Sequence, residues 1–107
     1  MTDRLSYIID DKIIMSNRLD WITYIKTEKI MKKDVDEALM FCLVRMFDGT
    51  SLTEEVINKL PVAHIHILIN QVSDIYMRIN QEILEIKKNN PDKKKLLTTS
   101  LEQLLKN

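Results

Sequence analysis

The sequence predicts an all-α fold, a small domain of four to five helices around one long central helix. Three observations carry this expectation. Apolar residues recur at steps of three and four along most of the chain, which is the helical period and not the strand period. A single glycine in 107 residues, with 45% hydrophobic and 30% charged residues, suits helices and disfavours a turn-rich or disordered chain. The length allows one modest core and is too short for two.

In chain order, Tyr7-Ile8-Ile9 and Lys12-Ile13-Ile14-Met15 are short β-branched runs flanking Asp10-Asp11. They allow a small N-terminal hairpin, although Asp-Asp is not the Asn-Gly pair that tight hairpin turns prefer. Asn17 offers an N-cap, with Asp20 three residues on to complement the helix dipole, so a first helix is expected over Arg18–Lys32. Its stripe is Leu19, Ile22, Ile25 and Met31, and Trp21, the sole tryptophan, is expected as a core anchor. Asp34 or Asp36 starts a second helix covering Ala38–Phe47, apolar nearly all round and therefore the most buried element. Asp48-Gly49-Thr50 ends it, the glycine supplying a left-handed residue.

Ser51-Leu52-Thr53-Glu54 reads as a capping box for a short third helix over about Leu52–Lys59. The long helix then starts with Pro61 at its first position and runs to Lys88, with Ile65, Leu68, Val72, Ile75, Ile79, Ile83 and Ile86 on one face. Such a helix is about 40 Å long, more than so small a domain can cover. After Asn89-Asn90-Pro91, an Asp92 cap opens an amphipathic segment over 91–107 with Leu97, Leu101, Leu104 and Leu105. Residues 1–90 form the helical domain in this reading, and the last segment is able to detach.

Positive and negative side chains both number 16, so no net field draws the chain to nucleic acid or an anionic surface. The distribution is uneven: residues 1–86 carry net −4 and residues 87–107 net +4. A helix-turn-helix is electrostatically unfavourable, because the third helix would present Glu54 and Glu55 to phosphates. The lysines at 87–95 read as a solvated break between helices and not as a specific nucleic-acid site. Neither a signal peptide nor an apolar run of membrane-spanning length is present, which leads to the expectation of a soluble cytoplasmic protein. Cys42, the only cysteine, lies in the apolar run Ala38–Val44 and is expected as a buried hydrophobe.

No cofactor, metal or catalytic site is expected. His64 and His66 point about 200° apart on a helix and cannot share a metal as an i, i+4 pair can. The carboxylate pairs Asp10-Asp11, Glu54-Glu55 and Glu82 with Glu85 already serve a turn, a helix start and an exposed face. One glycine cannot build a phosphate loop. What remains is apolar surface. Six methionines, Met31, Met40, Met46 and Met77 among them, suit an irregular core or a groove for helical partners. The expected partner-binding residues are Met77, Ile79, Ile83, Ile86, Leu101 and Leu104, and a homo-oligomer is expected.

The stretch from Asp36 through Phe47-Asp48-Gly49, Ser51-Leu52-Thr53-Glu54-Glu55 and Leu60-Pro61 to about Tyr76, preceded by Asp20-Trp21-Ile22-Thr23-Tyr24-Ile25, resembles the tail assembly chaperones of long-tailed bacteriophages. In that family an apolar helix ends at a glycine, a short capped Leu-Thr-Glu-Glu helix follows, and a Leu-Pro junction leads into another helix. The extension after Asn89 is outside the pattern. The resemblance implies a noncatalytic chaperone in the host cytoplasm that coats the helical tape measure protein and is displaced as tube subunits polymerise. The alternative is a small phage-type inhibitor that binds and blocks a host defence or transcription protein.

Overall fold

The structure, a computed structural model, describes residues 3–89. Among them 64% are helical and 9% are in strands. The fold is therefore mostly helical, and the N-terminal hairpin that the sequence allows is present. The elements are β1 (Ser6–Ile9), β2 (Lys12–Met15), α1 (Trp21–Met31), α2 (Val35–Met46), α3 (Glu54–Asn58) and α4 (Val62–Asn89). The segment 91–107, with Leu101 and Leu104, lies outside the described residues. Cα proximity groups the chain into two compact units, Met1–Asp74 and Ile75–Asn107.

In the first unit, β1 and β2 pair antiparallel in the register Ser6↔Met15, Tyr7↔Ile14, Ile8↔Ile13 and Ile9↔Lys12. Asp10 and Asp11 form the two-residue turn at φ 49° and 63°. Both central residues are left-handed, as the mirror-image turn that matches strand twist demands, and aspartate tolerates that region better than most side chains. The base of the hairpin is closed by Ser16, whose N–H donates to the Leu5 carbonyl at 2.9 Å and whose Oγ accepts from the Leu5 N–H at 2.7 Å.

Asn17 does not cap α1. Its backbone N–H donates to the Met46 carbonyl at 2.7 Å and its Nδ2 to the Asp48 carbonyl at 2.8 Å, so it satisfies carbonyls left over at the end of α2. Asp20 is the cap instead, accepting from the Thr23 N–H at 2.7 Å, and α1 starts three residues later than expected. Trp21 is consequently at the first helical position and only half-buried, stacked on Tyr24 with ring centroids 5.6 Å apart. Tyr24 takes the buried place expected for the tryptophan.

The two helices α1 and α2 make the most extensive element contact of the fold. Asp34 caps α2 through the Glu37 N–H at 3.1 Å, and Ala38, Leu39, Cys42, Leu43 and Met46 are buried. The core of this unit adds Leu5, Ile25, Phe47, Leu52, Ile57, Leu68 and Val72. Burial of these side chains removes apolar surface from water, worth about 1.5–3 kcal/mol for each large one.

Phe47 closes α2, and Gly49 follows two residues later at φ 78°. It occupies the third place of the turn Phe47–Thr50, which the Thr50 N–H closes on the Phe47 carbonyl at 3.1 Å. The Ser51 capping box does not form. Thr53 caps the shorter helix α3 by accepting from the Val56 N–H at 3.3 Å, because Leu52 is drawn into the core before the helix begins. Thr50 Oγ1 receives the Leu52 N–H at 3.2 Å. Pro61 stands one residue ahead of α4, and its carbonyl accepts from His64 and Ile65 at 3.0 and 3.1 Å. At 28 residues, α4 is about 42 Å long.

Candidate partner-binding surface

No Gly or Pro interrupts α4, so side chains advance by about 100° per residue over its whole length. In the second unit this places Ile75, Tyr76, Ile79, Ile83 and Ile86 within an arc of about 100°. Burial falls off along that strip. Ile75 and Tyr76 are buried, Ile79 and Ile83 are half-buried, and Ile86 is 44% exposed.

On the side of α4 away from Ile79 and Ile86, Met77 and Leu84 are seven residues apart and share a flank, 59% and 51% exposed. Asn80 and Gln81, which carry no formal charge, lie between them in the sequence. The expected residues Met77, Ile79, Ile83 and Ile86 are thus divided between two faces of one helix, Met77 lying about 120–180° from the isoleucines. Leu101 and Leu104 lie outside the described residues. Leu84 was not anticipated, because a reading confined to steps of three and four along the isoleucines passes over a flank defined by a step of seven.

The hairpin contributes a second apolar surface that the sequence reading did not mark. Ile8 and Ile13 are directly opposed in the ribbon and 66% and 67% exposed, with Met15 exposed on the same face. The opposite face, Tyr7, Ile9 and Ile14, is half-buried. Both runs are apolar on both faces, so alternation gives no clue to which side is covered.

His64 and His66 are both exposed. His64 Nδ1 is 2.7 Å from Tyr7 Oη, with the rings edge to face at 5.8 Å. Among the described residues no group of three or more histidine, cysteine or acidic side chains is placed to hold a metal ion, and no helix is long and apolar enough to cross a membrane.

The Asp20 carboxyl is held below its ordinary value, chiefly by hydrogen bonding from the Thr23 side chain, with the Thr23 N–H, Arg45 and Lys26 adding and burial opposing. Burial pushes the Cys42 thiol up to about 11, Thr27 opposing through a hydrogen bond and the Asp20 charge adding. Neither shift belongs to a group poised for acid–base or nucleophilic work near neutral pH. Two depressions flank Arg45: one of about 200 Å³ is bordered by Phe47, Leu52 and Glu54, the other of about 160 Å³ by Asn17, Arg18 and Asp20. Both are smaller than the roughly 300–1,000 Å³ typical of small-molecule sites. Comparison with protein-family models, with curated proteins and with solved structures gave no significant match.

Proposed function

We propose that this chain is a noncatalytic protein-binding domain whose association surface is the later half of α4. The observation that carries the reading is the exposed apolar flank of Met77 and Leu84 on a long uninterrupted helix. An amphipathic helix that leaves such residues in water is suited to packing against another helix or in a helical groove. Met77 favours an adaptable contact, since its unbranched thioether repacks against varied shapes.

The resemblance of 36–76 gives the finer form of the proposal. The chain is a tail assembly chaperone of a long-tailed bacteriophage, working as a homo-oligomer in the host cytoplasm on the helical tape measure protein. A coat of this kind self-associates and binds repeatedly along one extended helix. Co-expression with the products of neighbouring genes, followed by native mass measurement, tests it: several copies should copurify on one long helical chain. A discrete one-to-one complex with a host protein would replace this reading by that of an inhibitor.

A further inference from the structure

Along α4, Asp74, Met77, Gln81, Leu84 and Lys88 follow one another at steps of three, four, three and four. At about 100° per residue they share an arc of about 80°. All five are exposed, Met77 to 59% and Leu84 to 51%. The seam runs acidic, apolar, amide, apolar, basic, so its two ends carry opposite charge and its centre carries none. The same order reversed is its electrostatic complement. Beside the seam, on the side of Asp74, stand Glu85 and the half-buried Arg78, again opposite in sign and placed almost evenly about Gln81. The other charges of this stretch lie elsewhere, Lys87 about 80° from Met77 in the other direction and Glu82 about 140° from it.

We infer that the occupant of this seam is a second copy of the chain, its α4 laid antiparallel with Gln81 on the two-fold axis. The inference rests on the proposed function in taking the later half of α4 as the association surface, and it adds the partner and the orientation. In that register Asp74 faces the partner's Lys88, Met77 comes within one residue of the partner's Leu84, and the two-fold repeats each contact. Gln81 meets its own copy, where an amide both donates and accepts and a charge would repel itself. Glu85 comes opposite the partner's Arg78; because Arg78 is already engaged within its own chain, the charge argument rests on Asp74 and Lys88. A parallel pair would turn the charged side of one helix toward the opposite side of the other. Asp74 would then gain no basic partner, and Lys88 would come level with the partner's Lys87. The overlap from Asp74 to Lys88 is about 22 Å of helix. Such a contact belongs with the small interfaces, below roughly 1,200 Å², so the pair forms and separates reversibly.

Charge reversal in the full-length protein tests both the partner and the orientation. Asp74→Lys and Lys88→Asp each set like charges against one another at both ends of the pair. Each should raise the dimer dissociation constant about five- to tenfold at low salt, read by sedimentation over roughly 10 µM to 1 mM. Asp74→Lys together with Lys88→Asp in one chain should return it to within about twofold of the parent. The two positions are about 21 Å apart along one helix, so such recovery cannot arise within a chain. Circular dichroism should be unchanged in all three variants, since both side chains are exposed. Single variants that associate like the parent would overturn the inference, as would a doubly reversed chain no tighter than the single ones. In either case, loss of self-association in Leu84→Asp would keep the flank as an association surface. A parent that stays monomeric throughout that range would also overturn the inference, while copurification of several copies on one long helical chain would still support the proposed function. Unchanged association in Leu84→Asp would remove both.

Discussion

Tyr7 Oη lies 2.7 Å from His64 Nδ1, joining β1 to the first turn of α4 across 57 residues of sequence. The bond links the hairpin to a helix through side chains, and it lies on the half-buried face of the ribbon. An isolated two-stranded hairpin is marginal in water, so the link matters to the hairpin more than to the core. Tyr7→Phe retains the ring edge and removes the hydroxyl. The expected cost is about 0.5–1 kcal/mol, and His64→Ala should add little once the hydroxyl is gone. A double-mutant cycle by denaturant unfolding measures the coupling; additive losses would show that the bond contributes nothing.

Asp20 provides a pH-dependent test of the α1 cap. Its folded value is lowered from 3.8, so its contribution to stability is present above that value and disappears as pH falls through the lower folded one. Asp20→Ala should cost about 1 kcal/mol near neutral pH, and the difference from the parent should shrink in acid. Asp20→Asn retains an acceptor for the Thr23 N–H and should recover most of the loss without the acid dependence. Thermal melts across the acid range would show this, and a pH-independent deficit in Asp20→Ala would remove the charge from the explanation.

The helices were legible in the sequence because their apolar spacing is unambiguous, and α4 was legible almost to the residue. Their starting points were not. Asn17 and Asp20 are both good caps, and the choice between them is made by Met46 and Asp48, whose carbonyls engage Asn17 from 29 and 31 residues away. Ser51 lost to Thr53 for a similar reason, since Leu52 is fully buried on a bend of the chain where the capping box would have begun a helix. The hairpin was readable as a possibility from its β-branched runs, but only the left-handed Asp10 and Asp11 make it closed. On the candidate surface, the isoleucines were marked by periodicity and Met77 by the abundance of methionine; the exposed Ile8–Ile13 face carried no polar alternation to reveal it.

Cys42 is buried between apolar neighbours with its thiol pushed up to about 11, so almost none of it is the reactive thiolate at neutral pH. A water-soluble thiol reagent should therefore modify it only through opening of the fold. The labelling rate should rise steeply with denaturant and track unfolding measured by circular dichroism. Rapid labelling of the native protein would mean that the α1–α2 contact opens locally far more often than its burial implies.

The sharpest contrast is between two leucines of α4. Leu68 is 2% exposed and Leu84 is 51% exposed, yet both belong to one continuous helix. Leu68→Asp places an unpaired carboxylate in the core, at a cost of several kcal/mol against a total stability of about 5–15 kcal/mol, and should unfold the first unit. Leu84→Asp exchanges one solvent-facing side chain for another and should alter stability by no more than about 0.5 kcal/mol. Its effect should fall on association, weakening self-assembly or partner binding while the far-ultraviolet spectrum stays unchanged. Met77→Asp on the same flank should behave alike, whereas a charge at the equally exposed Val35 on α2 should not. Light scattering and circular dichroism on these four variants separate the two roles, and equal association in Leu84→Asp and the parent would leave the α4 flank without a partner.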